Sequence, residues 1–183
     1  MAYQGNLDGL CGPYAIVNAF DRCGLNEEWL GQDLFNIACL AMEGWPNILW
    51  EGTDWAQMKT ILKACQKALR KAYRAAGKEF HVKVEYPFTG KRKPRSNKDY
   101  WERFEEIFSQ NDVVCGILGI EHPHEHWIAF ENRKRPLSVF DSDPDDETRR
   151  IRKNDIYAGE RFRRKWLVNP EKMAVFRYVG SEE

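Results

Sequence analysis

The chain has 183 residues, 43% of them hydrophobic and 13% aromatic, which is enough to build one compact core, so a single domain over residues 1–183 is expected. Lys plus Arg and Asp plus Glu total 28 each, so the formal charge is zero and no global field favours nucleic acid, an anionic membrane or a highly charged substrate. The N-terminus MAYQGNLDGLCG has no basic segment followed by an apolar one, and no apolar run reaches the roughly 18 residues that span a bilayer, so a cytoplasmic protein with no membrane partner is expected.

From Cys11 to Phe20 the run CGPYAIVNAF predicts a short buried helix, with Pro13 in the first turn, where its fixed φ suits a helix and its missing N–H is not needed. Asn26 can cap a second helix whose apolar stripe is Leu30, Leu34, Ile37, Ala38 and Ala41. Gly44, Pro46 and Gly52 mark a loop. A third helix is expected from Thr53 or Asp54, because Trp55, Met58, Ile61, Leu62, Cys65, Leu69 and Tyr73 recur at helical spacing. Phe80, Val82, Val84 and Tyr86 alternate with polar residues as in a half-buried strand, and TGKRKPRSN follows as a basic loop. Asn97 is expected to cap a short helix bearing Trp101, Phe104, Ile107 and Phe108. Three strands are then predicted, Val113 to Ile120, His126 to Glu131 and Leu137 to Phe140, the last two joined by NRKRP. Residues 144–165 are too charged to choose between helix and loop, and Ala174 to Val179 reads as a final strand. With no internal repeat or linker, the expected class is α+β, a helical lobe followed by a sheet lobe.

Acyl transfer by cysteine needs a thiolate, a base, a group that orients the base, and donors for the oxyanion. Cys11 lies at a predicted helix N-terminus, whose unpaired N–H groups favour a thiolate. Gln4 precedes it by seven positions, with Gly5 and Gly9 between, so its amide can fold back and join the Cys11 N–H in binding an oxygen anion. His126 opens a strand. Asp141 ends the next one, LSVFD, and a short hairpin lays the two side by side. Asp143 is the other candidate for orienting the base, but it precedes Pro144 in a turn, where a carboxylate is mobile and hydrated.

Gln4, the run from Asp8 to Tyr14 (DGLCGPY), His126-Trp127 and Phe140-Asp141 together resemble the papain-like cysteine peptidase clan. Within it they are most similar to the bacteriocin-processing peptidases that cleave double-glycine leaders, and to intracellular relatives of those. The resemblance covers about residues 3–20 and 113–143. It implies a papain-like fold with the nucleophile helix packed on an antiparallel sheet, and catalytic roles for Gln4, Cys11, His126 and Asp141.

Other motifs have blander explanations. His122, His124, Glu125 and His126 include zinc-ligand types, but Pro123 prevents the helix that HExxH geometry needs, so no metal and no cofactor are assigned, and His122 and His124 are read as loop residues near the cleft. The acidic run from Asp141 to Glu147 lacks the Gly and distal Glu of a calcium loop. Lys91 to Lys98 and Arg149 to Lys165 read as solvated surface rather than a nucleic-acid site. Cys39, Cys65 and Cys115 are expected in the core and Cys23 to be incidental; none forms a CxxC pair, which fits reduced thiols. Trp127 is expected as core or site wall, and Trp45, Trp50 and Trp55 as packing. The expected activity is hydrolysis of a peptide or isopeptide bond in a protein or peptide substrate. Deamidase-like or transglutaminase-like acyl transfer by the same triad, and a non-catalytic papain-like binding module, are the alternatives.

Overall fold

The computed structural model describes residues 9–25, 28–131, 137–140, 150–159 and 165–180, without the side chains of 28–30. Among these, helices come first. Helix α1 (Cys11–Arg22) begins at the expected residue and runs two residues beyond Phe20. Helix α2 (Glu28–Leu40) buries Leu34 and Ala38 against it. The stretch between Gly44 and Gly52, expected as loop, contains one helical turn, α3 (Ile48–Glu51), which buries Ile48. Four residues between turn formers are too few to show a period in sequence. Helix α4 (Trp55–Ala75) starts in a capping box: the Asp54 carboxylate accepts the Gln57 N–H at 2.8 Å, and the Gln57 side chain accepts the Asp54 N–H at 3.0 Å. Its buried face is Met58, Ile61, Leu62, Cys65 and Leu69.

The remaining elements are β1 (Val82–Glu85), α5 (Asn97–Phe108), β2 (Val113–His122), β3 (His126–Glu131), β4 (Leu137–Phe140), β5 (Arg150–Ile151), β6 (Ile156–Ala158) and β7 (Trp166–Tyr178). The strands form one sheet in the order β1-β7-β2-β3-β4-β5, with β6 beside the first part of β7. Every pairing is antiparallel except β6 with β7. An α+β class with an antiparallel sheet is therefore observed.

Four expectations need correction. Residues 150–159, left open between helix and loop, hold two short strands and a 3₁₀ turn (Lys153–Asp155); strands of two and three residues carry too little alternation to read. The final strand starts at Trp166 rather than Ala174, because the polar stretch 169–172, with its proline, is a bulge within it: Ile120 pairs with Val168 and Leu118 with Met173. The cap of α5 is Ser96, whose hydroxyl accepts the Asp99 N–H at 3.1 Å, while Asn97 accepts the Ala158 N–H at 2.8 Å and ties α5 to β6. Finally, helices do not form a separate lobe. Helices α1, α2 and α4 cover one face of the sheet and α5 the other, so Trp127 and Ala129 of β3 enter one core and Ile128 and Phe130 the second. A strand buried on both faces reads as a continuous apolar run, as β3 does. No helix among the described residues is long and apolar enough to cross a membrane.

Ser96→Ala is expected to lower the unfolding free energy by about 1 kcal/mol through loss of the α5 cap, measured as a fall in the urea midpoint at constant m-value. An unchanged midpoint would return the capping role to another residue.

Candidate active site

Cys11 is the first residue of α1 and is 8% exposed. Leu10, the N-cap residue, makes no side-chain capping bond, and its carbonyl accepts the Tyr14 N–H at 3.1 Å. Two glycines allow the chain to press against the connection from α3 to α4. The Gly9 N–H donates to the Leu49 carbonyl at 2.5 Å, and a Cβ at Gly9 would come within 3.0 Å of that oxygen and 3.2 Å of the Gly52 nitrogen. A Cβ at Gly12 would overlap the Thr53 hydroxyl and lie 2.6 Å from Met58 Sδ.

The far end of α1 is fixed separately. Arg22 Nη1 is 3.9 Å from the buried Glu131 carboxylate, and its guanidinium carbon lies 3.6 Å over the centre of the Phe140 ring. Glu131 is the last residue of β3, so helix and strand run in the same direction. Twelve helical residues rise about 18 Å, and six strand residues span about 20 Å. With their C-terminal ends joined and their lengths similar, their first residues, Cys11 and His126, fall at the same end of the pair. Both line one cleft of about 470 Å³.

The residue after His126 is also anchored. Trp127, 6% exposed, donates its indole N–H to the Thr53 carbonyl at 2.8 Å and stacks on Trp55 at 5.6 Å and 23°. It is thus both core and wall of the cleft. Thr53 is 8% exposed and lines the same cleft, and its hydroxyl is buried against Gly12 with no hydrogen-bond partner among the described residues. In sequence Thr53 signalled only a helix start. Glu43, Glu51, Asp54, Glu125 and Lys172 also line the cleft; in sequence Asp54 signalled only a helix start, Glu125 only the histidine-rich run, and no motif marked the other three.

Gln4, Asp141 and Asp143 lie outside the described residues. Strand β4 runs antiparallel to β3 and ends with Phe140 opposite Ala129, so it is directed toward the end of the sheet where His126 stands. His122, expected in a loop, is the last residue of β2, because the strand continues two residues past Ile120. His124 is exposed in the connection, with its ring 5.5 Å from that of His126. Among the described residues no group of three or more His, Cys, Asp or Glu could hold a metal ion.

Trp45 and Trp50 do not pack as expected. They are 47% and 71% exposed. Cys23 is not incidental: it is buried beside Cys115, whose thiol is pushed up chiefly by burial and further by Cys23, and Cys115 Sγ lies 3.3 Å from the Ala19 carbonyl. Burial, then Cys39, pushes the Cys65 thiol up to about 12.

Comparison with protein-family models, curated proteins and solved structures gave no match.

Gly12→Ala is expected to cost about 1–3 kcal/mol by overpacking against Thr53 and Met58, read from urea denaturation. Wild-type stability in that variant would mean that the start of α1 is not wedged there. In the folded protein Cys65 and Cys115 should resist alkylation at neutral pH, because a raised pKa keeps each thiol protonated well above pH 7 and the thiolate is the reactive form. Mass mapping after iodoacetamide treatment checks this, and early labelling of either would contradict it.

Proposed function

We propose that the chain is a cysteine-dependent hydrolase of papain-like architecture that cleaves a peptide or isopeptide bond. The observation that carries this is the shared cleft. A cysteine at the first residue of a buried helix and a histidine at the first residue of the strand aligned with it line one cavity. A thiol and an imidazole so placed supply the nucleophile and general base of acyl transfer.

In this mechanism Cys11 Sγ attacks the carbonyl carbon as its proton passes to His126. His126 protonates the departing amine, and water, deprotonated by His126, then releases the acid from the acyl-enzyme. Gln4 and the Cys11 backbone N–H stabilise the oxyanion, and Asp141 orients the imidazole. All five cysteines are free, which fits a reducing compartment such as the cytoplasm.

Substoichiometric iodoacetamide is expected to mark Cys11 ahead of the other four thiols, and His126→Ala to slow that labelling by roughly a hundredfold at neutral pH through loss of the base. Intact-mass and peptide mapping read both. Preferential reaction at the half-buried Cys39, or a rate indifferent to His126, would remove the pair from the chemistry. Gln4→Ala should lower kcat by roughly a hundredfold with little change in KM, because its amide meets a full negative charge only in the transition state. A wild-type kcat in the folded variant would take Gln4 out of the site.

A further inference from the structure

Helix α4 carries six Lys and Arg residues and no Asp or Glu between Trp55 and Ala75. Its buried face is Met58, Ile61, Leu62, Cys65 and Leu69, and at about 100° per residue the cations gather on the opposite side. Lys63, Lys67, Arg70, Lys71 and Arg74 are all exposed, and among the described residues none of them forms an ion pair. The solvent side of a helix ordinarily mixes signs, because like charges four positions apart repel. Lys63 with Lys67, Lys67 with Lys71 and Arg70 with Arg74 are such pairs. The negative end of the helix favours only Arg74, in the last turn. The chain as a whole is neutral, so this single-sign stripe is a local feature, kept although it weakens its own helix.

The stripe also has a shape. Its five exposed cations and Gln66 line an open hollow of about 460 Å³ that belongs to α4 alone. From Lys63 to Arg74 it runs about 16 Å, in steps of about 4.5–6 Å. Arg70 and Lys71 stand at its two edges, about 100° apart around the helix, with Lys63, Lys67 and Arg74 between them. Such a two-edged row matches the major groove of B-form DNA, which is about 12 Å wide, admits an α-helix and is bordered on both sides by a strand with one phosphate per about 3.4 Å. An acidic peptide has no pair of parallel phosphate rows. A helix that lies in a bilayer surface turns its apolar face outward, whereas that of α4 is in the core. The stripe begins about 9 Å along α4 from Gln57, which lines the Cys11 cleft with Glu51 and Asp54. Those two carboxylates repel phosphate and hold a duplex away from the cleft.

We infer that the exposed face of α4 is a docking surface for double-stranded DNA, held through its phosphates. Gln66 is the one uncharged polar side chain in the hollow, so binding is nearly independent of sequence. It is separate from the proposed hydrolysis and does not depend on Cys11.

The test is an anisotropy titration of a labelled, mixed-sequence DNA duplex of about 24 base pairs with the full chain, at salt concentrations from about 50 to 200 mM. Five neutralised phosphates give a slope of about −4.5 in log K against log salt, so affinity should fall roughly 500-fold over that range. Lys67→Gln with Arg70→Gln, at exposed positions where Gln keeps the helix, should flatten the slope by about 2. Lys91→Gln with Lys98→Gln, around the start of α5, should leave it unchanged. An unchanged slope in the α4 variant, or no binding by about 100 μM protein at the lowest salt, overturns the inference. Tighter binding of an RNA duplex, whose deep and narrow major groove does not admit a helix, overturns it in favour of RNA. Tighter binding of polyglutamate or of phosphatidylserine vesicles overturns it in favour of an acidic protein or an anionic membrane.

Discussion

Helix α1 is buried along nine of its twelve residues, so its position is set by contact on almost every side. It packs on β3 and β2, with α2 and α4 against its other flanks. A helix in that setting cannot rotate or slide without opening voids, and each lost methylene of core contact costs about 1 kcal/mol. The location of Cys11 is therefore decided by apolar packing far from any polar chemistry. The end that carries Cys11 inherits its placement from Ile16, Ala19 and Phe20, all fully buried in the middle of the helix.

The sheet meets the same requirement from the other side. Because β3 is covered on both faces, a slip of one residue would exchange Trp127 and Ala129 with Ile128 and Phe130 between two differently shaped cores. That fixes the register and with it the height of His126. The cleft opens where this rigid pair ends: α1 and β3 both begin there, and the polar bulge 169–172 carries Lys172 against Gly119 on the neighbouring strands. Function-bearing loops on a rigid support are the usual division of labour in a domain. Here the support supplies the candidate reacting atoms, and the segment before α4 supplies the wall.

Much of this was legible in the sequence because it follows from local rules. Strands β3 and β4 have their expected ends, since short apolar runs bounded by turn-forming residues leave little choice, and the helical spacing from Trp55 to Tyr73 marked α4. That Cys11 opens a helix and His126 opens a strand was also foreseeable. What escaped depends on distant partners. The polar, proline-containing bulge hides the first half of β7, and Ser96 outcompetes Asn97 as a cap because Asn97 has a partner in Ala158, 61 positions away. The carboxylates of the cleft wall come from segments with no periodicity, so only the fold brings Glu43, Glu51 and Glu125 to one cleft. The two exposed tryptophans invert a composition rule: aromatic residues are usually packed, and here two of them face water.

The stacked pair of Trp55 and Trp127 has an optical consequence. Two indoles held 5.6 Å apart and 23° from parallel, one of them hydrogen-bonded to Thr53, form an asymmetric chromophore whose near-ultraviolet circular dichroism depends on their mutual angle. Since one ring belongs to α4 and the other follows His126, any relative movement of the two walls of the cleft changes that signal. The protein thus carries its own reporter of site geometry, without a label and without a chemical step.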